Sequence, residues 1–229
     1  MRFSQEPERA AIFDAIAPGY DHSSWLLSCG GFAAWHRVAA MALDVHPQDR
    51  ILDVGCGTGS ITRRLARQAG AAGSVVGLDS SPGMLAVARR RSTGLPLSVQ
   101  WVQGDGQRLP FPAESFDKVT AQFSLRNMED WHRGIRELVR VTRPGGTIVL
   151  LDVVVPVTPY GRLARWGLDT ATRLAPGRLH APYRWLRQSL ARFTTRQELA
   201  SLLEAAGARR VDPGREWLGG LVALIRAVR

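Results

Sequence analysis

Three glycines alternate in Gly55-Cys56-Gly57-Thr58-Gly59, directly after the apolar run Ile51-Leu52-Asp53-Val54 with its single acid. Glycines at such a junction remove side chains and let the backbone approach a bound ligand closely. Their spacing narrows the ligand. A dinucleotide pyrophosphate asks for G-x-G-x-x-G. Here the order is G-x-G-x-G, with Asp53 two residues ahead. A carboxylate there repels a pyrophosphate but suits a ligand with an ammonium and a sulfonium. S-adenosylmethionine carries both, and S-adenosylhomocysteine would be its product. A nicotinamide or flavin site and a plain tight turn are the alternatives. Further acids extend the pattern. Gly77-Leu78-Asp79 places a carboxylate about 20 residues past the loop, the position that grips two ribose hydroxyls, followed by Ser80 and Met84. Gly104-Asp105-Gly106 offers an acceptor for the adenine amino group, and Gln122-Phe123 would border the methionine end.

Those residues need a scaffold that brings distant turns to one edge. Short apolar runs at 50–54, 74–78, 98–103, 116–123 and 147–155 read as strands. Between them, 60–69, 81–91 and 130–141 read as helices. This alternation predicts an α/β fold with a parallel sheet and helices on both faces. Two helices, 6–16 and 31–43, precede it, with Pro18-Gly19 ending the first. Pro144-Gly145-Gly146 reads as a turn before the strand at 147. An irregular helical stretch fills 157–193, then a helix at 195–206 and strands at 208–212 and 217–228. The short link between the last two suggests an antiparallel hairpin at the sheet edge. The expected fold is a doubly wound, seven-stranded, mostly parallel sheet with an antiparallel last strand and a helical cap. Residues 1–229 form one domain in this reading. A cap covers 1–45, the cofactor core 46–156, an acceptor-side insert 157–193, and a C-terminal helix and hairpin 194–229.

The chain has 229 residues, enough for one sizeable core. No apolar run reaches the ~20 residues that cross a bilayer, and the opening residues lack a signal-like apolar stretch. A cytoplasmic location is the expectation. Cys29 and Cys56 are the two cysteines. Neither they nor His22, His36, His46, His132 and His180 show metal-ligand spacing, so no metal is expected. Net charge is +10, and Lys118 is the one lysine among 30 basic residues. Arginine dominance reads mainly as GC-rich codon usage. Its placement is uneven: 17 bases and 14 acids precede residue 151, while 13 bases and 6 acids follow. An acidic partner surface near the last third is implied. No recognition motif accompanies the charge, so nucleic acid is not an expected partner.

Taken together, DVGCGTG, GLD, GD, LPFPAESFD and RPGG resemble the class I methyltransferases. The likeness narrows to the ubiquinone/menaquinone-biosynthesis C-methyltransferases (UbiE/MenG type) and runs along nearly the whole chain. Phe13–Asp21 (FDAIAPGYD) resembles that family's opening. Phe123-Ser124-Leu125-Arg126-Asn127 resembles its F-G-L-R-N motif, residues 183–189 its Y-x-Y-L-x-x-S segment, and residues 219–224 its G-G-I-V-A-L ending. Departures fall at His22-Ser23-Ser24-Trp25, at Gln122 and Asp152, and across 157–182. The resemblance implies methylation of a ring carbon on a prenylated quinol such as demethylmenaquinol. Another small aromatic or polyketide-like acceptor is the second reading, and a non-catalytic cofactor-binding scaffold the third.

Transfer to carbon is an in-line displacement that depends on alignment. The acceptor ring becomes nucleophilic when a neighbouring phenol loses its proton. Arg126 is the candidate to stabilise that phenolate, and Asn127 to orient it or a water. Arg126 is too weak an acid to serve readily as a base, and pairing with an acid such as Asp130 is its structural alternative. His22 is a candidate base. Tyr20 is expected to cap the cofactor pocket and Tyr183 to line the acceptor pocket. Arginines interleaved with Trp and Leu across 157–196 suit an anionic membrane surface as well as a solvated cover. The expected partners are thus a lipid-tailed small molecule, peripheral contact with the inner face of the membrane, and a second copy of the chain.

Overall fold

The computed structural model describes residues 6–28, 30–96, 98–174 and 180–229, without the side chains of 6–9 and 180. Cys29 and residues 175–179 of the acceptor-side insert lie outside the described residues. The parallel core opens with β1 (Arg50–Val54), β2 (Ser74–Asp79), β3 (Val99–Gln103), β4 (Phe116–Gln122) and β5 (Thr142–Val153). Its crossovers include α4 (Ser60–Ala69), α5 (Pro82–Ser92) and α6 (Trp131–Val141). Side-chain caps set two of these helices: Ser81 accepts from Met84 N–H, and Asp130 accepts from Arg133 N–H. Beyond β1 Arg50, the strand is buried throughout, as a strand covered on both faces must be.

Strand order is β3-β2-β1-β4-β5-β8-β6, with β6 at Arg209–Asp212 and β8 at Val222–Val228. Order reverses between β1 and β4, and ligands of open α/β sheets bind at that switch point. β8 runs antiparallel to both β5 and β6. The expected edge hairpin exists, but its second strand is inserted between β5 and β6. The predicted strand at 217–228 is also split. β7 (Glu216–Trp217) pairs with β8, making an eighth strand, and a 3-10 turn at Leu218–Gly220 separates them. Leu218, Gly219 and Gly220 all have positive φ, which breaks the ladder. The predicted turn at Pro144-Gly145-Gly146 is absorbed into β5 as an irregularity opposite Phe116–Lys118.

Alternate strand residues feed two cores. Leu52 and Val54 join Leu138 of α6 and Leu199 and Leu203 of α9 (Arg196–Ala205). Ile51 faces the other way, with Leu65 of α4 and Leu43 of α3 (Gly31–Leu43). Asp53 shares this second side of β1 and meets α4. The roof begins with α1 (Glu6–Ile16), which packs on α5 through Phe13, Ile16 and Met84. Pro18-Gly19 ends α1 as expected. An unforeseen helix, α2 (Tyr20–Leu27), restarts directly after a 3-10 turn. α7 (Pro159–Arg173) and α8 (His180–Arg192) pack on each other, and α8 also meets α1. Among the described residues, no single helix is long and apolar enough to cross a membrane.

Candidate active site

The glycine loop and the strand ends surround a cavity of about 870 Å³, measured with its open mouth. Gly55 N–H and Cys56 N–H both donate to Leu78 carbonyl, tying the loop to β2. At Gly55, φ is +73° and a Cβ would stand 2.3 Å from Ser124 Cβ. At Gly57, φ is +54° and a Cβ would meet nothing within 4 Å, so this residue bares its backbone to the cavity. Gly59 opens α4 and packs against Trp101. Cys56 lies buried in the wall, where burial pushes its thiol up. Thr58 lines the same wall and donates to Asp21 of α2 at 2.7 Å, and Asp21 in turn pairs with Arg91.

Four acidic groups act around this loop in different ways. Asp53 is 2% exposed, accepts from Thr62 Oγ1 at 2.7 Å, and has its carboxyl pushed up by burial to about 7. Asp79 closes β2 and accepts from Gly57 N–H at 2.8 Å and Ser81 N–H at 2.9 Å. Asp105 lies between Gly104 and Gly106 in the wall, and accepts from Gln107 backbone and side chain, each at 2.9 Å. Asp14, overlooked in the sequence, accepts from Ser81 Oγ at 2.5 Å and Gly83 N–H at 2.7 Å, locking α1 to α5. Ser80 and Met84 also line the cavity.

On the other side of the loop, Gln122 and Phe123 form the wall with α3. Phe123 has φ +55°, and its ring stacks on Phe32 at 5.0 Å. Sequence reasoning also passed over His36, whose Nδ1 meets Gln122 Oε1 at 2.5 Å inside this wall. Helical periodicity marks His36 only as one position on α3. Its partner comes from a strand 86 residues away.

A second cavity of about 600 Å³ adjoins the first and is mainly apolar. Ile12, Phe13 and Ile16 come from α1, Leu27 from α2, and Tyr183, Trp185 and Leu186 from α8. Phe13, Tyr20 and Asn127 line both cavities. Tyr20 therefore stands between the two spaces rather than simply capping one. Burial pushes its hydroxyl up, against the pull of Arg126. Tyr183 lines the second cavity.

Arg126 reaches the second cavity from the 3-10 turn Leu125–Asn127 after β4. Its acid is Asp152 on β5, at 2.5 Å, not Asp130. Asp130 instead caps α6. Asn127 Nδ2 donates to Phe123 carbonyl at 3.1 Å, and its Oδ1 accepts from Trp185 Nε1 at 3.1 Å. His22 is exposed on α2 and lines neither cavity. Among the described residues, no three His, Cys, Asp or Glu side chains cluster as metal ligands.

Comparison with known proteins puts this architecture in context. The profile of the ubiE/COQ5 methyltransferase family matches residues 1–229. Demethylmenaquinone methyltransferase of Streptomyces griseus is 36% identical over 230 residues, covering 98% of this chain and 96% of that protein. The 2-phytyl-1,4-naphtoquinone methyltransferase of Thermosynechococcus vestitus is 37% identical, covering 93% and 96%. A solved SAM-dependent methyltransferase from Thermotoga maritima shares the fold, with a TM-score of 0.65, 20% identity, and coverage of 96% and 99%.

Proposed function

The chain belongs to the ubiE/COQ5 methyltransferase family, and on that premise we propose that it methylates a ring carbon of a lipid-tailed quinol of the demethylmenaquinol class. The observation that carries this reading is the apolar second cavity, joined to the glycine-loop cavity through Phe13, Tyr20 and Asn127. A flat aromatic headgroup suits such a space, and there it would stand beside a methyl donor bound in the first cavity.

The first cavity suits S-adenosylmethionine. Gly57 leaves its cavity side bare, where a Cβ would occupy ligand space. Acids stand at the ends of β1 and β2 and after β3, while Met84, Met128 and Leu78 supply apolar surface. When bound, the cofactor supplies an electrophilic methyl group on a sulfonium. Asp79 would hold the ribose, Asp105 the adenine amino group, and Gln122 and Phe123 the methionine end. Asp53 stands buried near the cationic portion, where its raised pKa leaves it partly protonated until a bound cation draws the proton off. Cys56, Thr58, Ser80 and the glycines complete the wall.

On the acceptor side, Arg126 stabilises the phenolate and Asn127 orients it. Asp152 fixes the guanidinium, and Trp185 fixes the amide. Tyr20 separates the acceptor from the nucleoside, and Tyr183 contacts the ring. His22 has no part in this scheme, because it faces outward.

The lipid tail implies an entry route. On α7, Tyr160, Leu163 and Trp166 are exposed at helical spacing, with Val157 before them and Leu174 after. Leu163 is 61% and Trp166 66% exposed. Arg162 and Arg173 are exposed on the same helix. Trp25 and Leu26 are exposed on α2, whose Tyr20, Ser23, Ser24 and Leu27 line the second cavity. Apolar groups among arginines suit an anionic bilayer surface. Peripheral attachment there would deliver the tailed quinol to the cavity.

The test is transfer of labelled methyl from S-adenosylmethionine to a short-tailed demethylmenaquinol under reducing conditions. Labelled menaquinol supports the reading. Cofactor binding without transfer to the quinol moves the acceptor to another aromatic compound.

A further inference from the structure

A chain of hydrogen bonds fixes the state of His36. Thr120 Oγ1 donates to Val149 carbonyl at 3.0 Å, so its lone pairs are left to accept. Gln122 Nε2 donates to that oxygen at 3.1 Å. The amide is thereby oriented with Oε1 towards His36. Oε1 can only accept, so His36 Nδ1, 2.5 Å away, carries the hydrogen. Burial pushes the imidazole down to about 4, leaving it neutral at pH 7. A neutral ring with its proton on Nδ1 has a bare lone pair at Nε2.

That Nε2 is buried and has no hydrogen-bond partner among the described residues. Buried acceptors in folded proteins are almost always paired. The ring is held edge-on against Phe32 at 4.1 Å and Phe123 at 5.4 Å, and it forms part of the first cavity's wall. It is therefore a rigidly positioned acceptor that awaits an N–H or O–H donor.

Sheet order identifies which part of a ligand arrives there. Asp79 ends β2 and Asp105 follows β3, on one side of the glycine loop. His36 and Gln122 belong to α3 and β4, on the other side. If the nucleoside lies over β2 and β3, the amino-acid end lies over β1 and β4. A bare lone pair repels a carboxylate, and a sulfonium has no N–H to donate. The remaining group is the α-ammonium.

We propose that His36 Nε2 accepts a hydrogen bond from the α-ammonium of the cofactor's methionine moiety, making His36 a cofactor-binding residue. This rests on the reading of the first cavity as the S-adenosylmethionine site. The donor is cationic and the acceptor desolvated, so the bond is of the charge-assisted kind.

Calorimetric titration of the full chain tests it, with S-adenosylmethionine, S-adenosylhomocysteine and 5′-methylthioadenosine as probes. The last keeps the nucleoside and lacks the amino acid. His36→Phe keeps a ring and removes the lone pair. We expect it to weaken the two amino-acid-bearing ligands by about tenfold or more, and methylthioadenosine by less than about twofold. Equal weakening of all three, or of none, overturns the proposal. Failure of the unaltered protein to bind any of them overturns the cofactor reading and the proposal with it. A second measurement covers a variant that does not fold. In the unaltered, ¹⁵N-histidine-labelled protein, the His36 Nε2 resonance should move on adding S-adenosylhomocysteine and stay put with methylthioadenosine. An unmoved resonance under saturating S-adenosylhomocysteine also overturns it.

Discussion

One nitrogen of the Arg126 guanidinium donates both to Asp152, at 2.5 Å, and to Phe123 carbonyl, at 2.7 Å. The two side chains are 10% and 1% exposed. The pair thus clamps the turn after β4 to β5 while presenting Arg126 to the acceptor cavity. Arg126→Ala leaves the buried Asp152 carboxylate with backbone N–H donors but no cation, and losing one partner of such a pair costs about 3–5 kcal/mol. We expect a matching loss in urea stability and a fall in kcat/KM of about 100-fold or more. Adding Asp152→Asn should recover much of the stability and little of the turnover. If the double variant turns over within a few-fold of the unaltered protein, Arg126 only braces the turn.

Asp53 and His36 should leave opposite marks on the pH dependence of the ligand-free protein. Asp53 has a raised pKa, near 7, so the folded state holds a proton that the unfolded chain has released. Its contribution to stability is therefore lost as pH rises from about 4 to 7. His36 has a lowered pKa, near 4, so its contribution is lost as pH falls from about 6.5 to 4. The slopes oppose each other between pH 4 and 6.5. Asp53→Asn should make stability fall more steeply on acidification. His36→Phe should make it fall on alkalinisation. Urea midpoints across that window decide the matter, and parallel curves for the two variants would contradict both assignments.

The glycines of the loop should separate by what a methyl group would meet. Gly55→Ala drives a Cβ into Ser124 at positive φ, so both stability and cofactor affinity should fall. Gly57→Ala meets only open space. Its folding cost should be that of the left-handed backbone alone, about 1–2 kcal/mol, while cofactor affinity falls much further. Thermal melts with and without S-adenosylhomocysteine check this. A Gly57→Ala protein stabilised by ligand as strongly as the unaltered one would disprove the bare-backbone role.

Replacing Leu163 and Trp166 by Ser removes two exposed apolar groups without opening a core. Co-sedimentation with anionic vesicles at low salt should drop several-fold. Turnover of a short-tailed quinol in solution should be unchanged, and turnover of a long-tailed quinol in vesicles should fall. Unaltered vesicle binding would remove α7 from the membrane-facing surface.

What could be read in advance was local. The glycine loop, Asp79 and Asp105 are each marked by immediate neighbours, and one cavity collects them. Sheet alternation was equally plain, because buried parallel strands are short apolar runs. Partnerships across the sheet were not. Arg126 has an acid four residues on, yet takes Asp152, which β4–β5 pairing brings alongside. His36 needs Gln122 from a distant strand before it becomes interesting. α2 was missed because Pro18-Gly19 reads as an end, while the chain passes through a 3-10 turn into a new helix. Its outward His22 looked chemical only because of where it stands in the sequence.

The place of β8 between β5 and β6 has a bearing on synthesis. Among the described residues β6 pairs with β8 alone, so it cannot join the sheet when it first emerges. While residues 154–221 are being made, one side of β5 has no strand beside it. An open edge of this kind is a template for another chain. The nascent protein therefore carries a sticky border through the whole production of α7–α9, and an interrupted translation product would expose it for good.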